Sequence, residues 1–110
     1  MIVTTTHKVE NRSIIEYLGL VAGECILDEQ AAQKILTGIS AEANESYTSY
    51  KNKMTECRLA IIEQMKGKAE KMGADAIVAV NFNYIVLHDD MLMIAAIGTA
   101  VQLADSVLSM

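Results

Sequence analysis

At 110 residues the chain is long enough for one modest core. Its hydrophobic fraction of 52% and mean hydropathy of +0.25 exceed what such a core hides. A net charge of −5 leaves no basic stripe for a nucleic acid, since Lys66, Lys68 and Lys71 are interleaved with Glu63 and Glu70.

A membrane span does not account for the apolar surplus. A spanning helix needs about 20 consecutive apolar residues, and the most apolar run, 91–103, is shorter and carries Thr99 and Gln102. Burial between copies of the chain is the expected outlet. Residues 1–6 have neither a basic region nor a long apolar core, so no leader is expected and the location reads as cytoplasmic. There, Cys25 and Cys57 are expected as reduced thiols. Two isolated cysteines form no CxxC motif, which leaves zinc-ribbon and thioredoxin readings unsupported.

Proline is absent and no repeat or linker interrupts the chain. Residues 2–6 are short and β-branched, which predicts a strand. Asn11, Arg12 and Ser13 form a polar break, and residues 14–27 read as a second strand. Gly19 and Gly23 within it predict a bulge or a close backbone approach. Residues 28–40 predict a short helix capped by Asp28, with Ala31, Ala32, Ile35 and Leu36 on its apolar face.

The strongest periodic signal runs over residues 45–72. Tyr47, Tyr50, Met54, Cys57, Ile61, Met65, Ala69 and Met72 recur at three- or four-residue steps, which predicts a long helix that Gly73 ends. Residues 76–87 then alternate as a strand, with Val78, Val80, Phe82, Tyr84 and Val86 as the expected core face. His88, Asp89 and Asp90 mark a turn, and residues 91–103 return as the second arm of a hairpin. The expected fold is α+β in the order β-β-α-α-β-β, one domain over 1–103 with a tail at 104–110. An antiparallel sheet packs one face on the long helix and offers the other to a second subunit.

Several stretches, in this order, carry a family resemblance: Val3-Thr4-Thr5-Thr6, Tyr17-Leu18-Gly19-Leu20-Val21-Ala22-Gly23-Glu24, Met72-Gly73-Ala74-Asp75-Ala76-Ile77-Val78, Met91-Leu92-Met93-Ile94 and Gly98-Thr99-Ala100-Val101. On these residues the chain resembles the YbjQ-like family, small uncharacterised proteins described as heavy-metal-binding. The resemblance implies a dodecin-like fold and a homopentamer whose sheets close around an axis. It also departs from the family. A Gly-Gly-Arg-Ser-like turn before the long helix, with a Tyr-Glu pair just inside it, is replaced here by Ser40-Ala41-Glu42-Ala43-Asn44-Glu45-Ser46-Tyr47.

The candidate sites are weak by composition. A soft or divalent metal ion has Cys25, Cys57, His88, Asp89 and Asp90 as ligands, with His7 and the thioethers of Met91 and Met93 beyond them. Against that stand a solvated turn at 88–90, core packing for the methionines, and burial of each cysteine as a small hydrophobe. If the helix packs on the second strand, the two thiols meet, as a metal or redox pair. Glu24 alternates with Leu20, Ala22 and Ile26, where an unpaired carboxylate is costly. It is a candidate for polar recognition or proton transfer, or else a contact at an edge or between subunits. Asn81 and Asn83 share a strand face and could bind a ligand, or simply face solvent. The hydroxyls of Thr4, Thr5 and Thr6 could receive a small anion, or belong to an ordinary edge strand.

There is no Gly-rich phosphate loop, GxSxG or HExxH. The leading expectation is a homo-oligomeric binding or scaffold protein. Metal binding and an interface enzyme using Glu24 follow behind.

Overall fold

The computed structural model describes residues 1–27, 44–88 and 91–105, with side chains for all of these except 44–50 and 88. Four strands and one helix make up the fold: β1 (Ile2–Val3), β2 (Ile14–Leu27), α1 (Asn44–Lys71), β3 (Ala76–His88) and β4 (Met91–Leu103). The strand order is β1-β3-β4-β2. β4 pairs antiparallel with both β2 and β3. The predicted short helix at 28–40 lies outside the described residues, as does the tail from 106 onward.

The helix is built as its periodicity predicts. Cys57, Ile61, Met65 and Ala69, spaced four apart, are buried against the sheet. It ends in a Schellman motif: Ala74 N–H donates to Ala69 O and Gly73 N–H to Glu70 O, both at 3.0 Å. Gly73 supplies the positive φ of 80° that this ending needs. From the sheet, Val21 and Leu27 of β2 and Leu92, Ile94, Ala96 and Ala100 of β4 meet the helix stripe. Gly23 lies at a close approach of helix and strand. A Cβ there would stand 2.9 Å from Ile61 O and 3.0 Å from Gln64 Oε1, so the close approach expected of this glycine is what the fold uses. Gly19 marks the other possibility, a register shift between Tyr17 and Gly19.

Two expectations are corrected. First, the sheet is not antiparallel throughout. β1 pairs parallel with β3, through Ile2–Ala76 and Val3–Ile77, so the sheet is mixed. The chain then runs on beside β3: Thr4 N–H donates to Ile77 O, Ala79 N–H to Thr6 O and Val80 N–H to Thr4 O.

Second, β3 does not keep one core face. Val78 pairs with Thr99 and Asn81 with Ile97, so Ala79 and Val80 together oppose Gly98 in a bulge. Ala79 takes φ 55°. The extra residue turns the alternation over. Ile77, Val80 and Phe82 pack with the helix cluster, while Val78 joins Ala76, Val101 and Leu103 on the opposite face. Tyr84 and Val86, expected in the core, are exposed.

The face away from the helix is divided. At one end, Val9 and Ile14 pack over Ala76, Val78, Val101 and Leu103. Arg12 Nε donates to Ala104 O at 2.9 Å and Ala104 N–H to Ser13 O, which pins this segment down. At the other end no described residue covers the sheet.

Candidate functional site

The bare end holds the residues singled out from the sequence. β4 forms its spine, and pairing sets each row across three strands: Ala22–Ile97–Asn81, Glu24–Ala95–Asn83, and Ile26–Met93–Ile85. Side chains two apart share a face, so Glu24, Asn81 and Asn83 lie together in a polar patch. Exposed Leu20, Ile26, Ile85 and Ile97 surround it. The structure therefore brings these three candidates together. Glu24 and Asn83 line a groove of about 430 Å³, with Gln64 and Lys68 among its other walls.

Gln64 and Lys68 were not read from the sequence as site residues. Gln64 Nε2 donates to Glu24 O at 2.9 Å, while its Oε1 accepts Glu24 N–H at 3.0 Å. Lys68 Nζ donates to Ala22 O at 2.7 Å. Together they satisfy the outward N–H and C=O of Glu24 and the C=O of Ala22, three of the edge groups of β2 that could otherwise template another strand. Their spacing of four on the helix, three residues beyond Ile61 and Met65, was the available signal. The Glu24 carboxylate itself is exposed, so the burial cost expected for it is not imposed by this chain alone.

On the helix side, Cys25 and Cys57 are joined as a disulfide with a Cα–Cα distance of 5.7 Å. This corrects the expectation of two reduced thiols. β2 and the buried stripe of α1 hold the two Cβ atoms within disulfide reach. Cys57 is buried and Cys25 half-buried. They line a groove of about 360 Å³ with Lys53 and Glu56 at its rim.

The other candidates stay apart. His88 ends β3, opposite Met91, while Asp89 and Asp90 lie outside the described residues. His7 sits in the exposed N-terminal segment. Met91 and Met93 are half-buried on β4. The hydroxyls of Thr4 and Thr6 are engaged locally: Thr4 Oγ1 and Thr6 Oγ1 bond at 2.9 Å, and Thr6 Oγ1 donates to Lys8 O. Among the described residues, no three His, Cys, Asp or Glu side chains cluster to hold a metal, and no helix is long and apolar enough to cross a membrane.

Relatives share this frame. A protein of unknown function from Pediococcus pentosaceus, of the DUF74 family, superposes with a TM-score of 0.59 at 18% identity, over 94% of this chain and 98% of its own, and so shares the fold. A UPF0145 protein of Halalkalibacterium halodurans is 41% identical over 94% of this chain and 96% of its own length. One from Geobacillus kaustophilus is also 41% identical, over 94% and 98%. The model of the YbjQ family, described as "Putative heavy-metal-binding", matches residues 1–104, and the chain belongs to that family.

Proposed function

We propose that the protein is a homo-oligomeric cytoplasmic binding or scaffold protein, its copies joined through the bare end of the sheet. The observation that carries this is the pair of unlike edges on opposite sides of one sheet. β1 reaches only Ala76 and Ile77 of β3, and beyond Val80 no described strand pairs with the outer edge of β3. There Tyr84, Ile85, Val86 and Leu87 are all exposed. β2 forms the far edge. An interface that joins one edge to a different edge is heterologous, and it closes into a ring when the rotation allows. A pentamer, as the family resemblance implies, is one such ring. In it the groove beside Glu24 and Asn83 would lie near the joint, where a small polar ligand could be enclosed.

Native mass spectrometry of the untagged chain tests this. A ring of defined stoichiometry is expected, and Ile85→Lys with Ile97→Lys should reduce it to folded monomer: lysine at Ile85 opposes pairing along the open edge of β3, and lysine at Ile97, on the central strand, puts a charge on the apolar face that the interface would bury. A monodisperse wild-type monomer at micromolar concentration would sink the proposal.

A second reading is binding of a heavy metal. The family description motivates it, and the convergence of the two sulfur atoms favours it over the carboxylates and imidazoles, which the described fold leaves scattered. Soft ions prefer thiolates.

A further inference from the structure

Cys25 and Cys57 are the chain's two cysteines, 32 residues apart in sequence, yet the packing of α1 on β2 sets their Cα atoms 5.7 Å apart. Two sulfurs held this way form a disulfide when oxidised and a convergent thiolate pair when reduced. The surroundings suit a buried ion with an open approach. Cys57 sits in the core cluster with Ile61 and Val21. Cys25 opens onto the groove of about 360 Å³ bounded by Ile26, Lys53, Glu56 and Ala60. No cluster of three hard or intermediate ligands accompanies the pair among the described residues. A zinc site wants three or four protein ligands, whereas a soft ion with a filled d shell accepts two thiolates.

We infer that Cys25 and Cys57 form a redox-gated two-thiolate site for such an ion, Cu(I) being its type. The inference rests on the heavy-metal reading above and assigns it a site. In the oxidised form the S–S bond closes the site. A dithiol reductant opens it: one of its thiolates attacks a sulfur of the pair, the S–S bond breaks, and the reductant leaves as its own disulfide. Cys25 and Cys57 gain two electrons and two protons. Cu(I) then displaces both protons and forms two Cu–S bonds, with no change in oxidation state.

The test is an anaerobic titration of the full chain with Cu(I) supplied as its bicinchoninate complex. Reduced wild type should withdraw about one equivalent, and the oxidised wild type, Cys25→Ser and Cys57→Ser should each bind at least about tenfold more weakly. Bound Cu(I) should also protect both cysteines of the reduced wild type from carbamidomethylation. The oxidised wild type carries the same sequence, so a variant that folds poorly does not obscure the result. Uptake by oxidised protein or by Cys25→Ser equal to that of the reduced wild type overturns this site and leaves a heavy-metal role at other residues standing. Refusal of both Cu(I) and Hg(II) by the reduced wild type overturns the site and that role together.

Discussion

The two faces of the sheet are made by the same three strands from alternate residues, yet they end in opposite states. On the helix face, Ile61, Met65 and Ala69 meet Ile94, Ala96 and Ala100, and all six are buried. On the other face, Leu20 is 71% exposed, and Ile26 and Ile97 stand about half in water. The residue types on the two faces of β4 are much alike. What separates them is the connection: the chain returns across one face as a helix, and among the described residues it covers the other at one end alone, through the segment that carries Val9. Hydrophobicity marks surface that has to be buried and leaves open which part of the chain, or which copy of it, does the burying.

The sharpest way to break this comparison is to truncate matching isoleucines. Ile61→Ala should lower the unfolding free energy by about 2–5 kcal/mol. Ile97→Ala should change that of the isolated monomer by no more than about 0.5 kcal/mol and act instead on assembly. Urea unfolding of both, at concentrations where only monomer is present, reads the contrast. Equal losses would mean that the two faces are equally packed.

Next in size is the tie across the helix face. In the chain-entropy account, closing a loop over the 32-residue separation of Cys25 and Cys57 contributes about 3–4 kcal/mol. Reduction should therefore lower the unfolding midpoint of wild type and leave that of Cys25→Ser unmoved. Smaller again is Gly23→Ala. Its new methyl meets backbone at Ile61 O, which has little room to retreat, and should cost about 1–3 kcal/mol; the same change at Gly67, where a Cβ meets nothing within 4 Å, should instead be stabilising. The last effect is also stabilising. Ala79 carries a left-handed φ of 55° in the bulge, so Ala79→Gly should stabilise by about 1 kcal/mol in thermal unfolding. A loss of stability there would place the bulge elsewhere.

Much of the candidate site was legible. Glu24 stood out because it interrupts an apolar alternation, and Asn81 and Asn83 because they share a face. Both are local properties of a strand, and pairing through Ala95 set Glu24 and Asn83 in one row. Gln64 and Lys68 were not legible as site residues, because their contacts reach back 40 and 46 positions to the edge of β2. The pairing of Cys25 with Cys57 was open for the same reason.

By itself the sequence determined the α+β class, the long helix with its buried stripe at 57, 61, 65 and 69, its end at Gly73, and the hairpin of β3 and β4. Each of these follows from a short-range period or from the backbone preference of a single residue. Tertiary packing was needed to settle that β1 joins β3 in parallel, that Ala79 turns the faces of β3 over, that two cysteines meet, and that the described residues leave one end of the second sheet face uncovered. Those outcomes depend on where distant segments come to rest. A one-residue bulge or the path of a returning segment changes them while the local pattern stays the same.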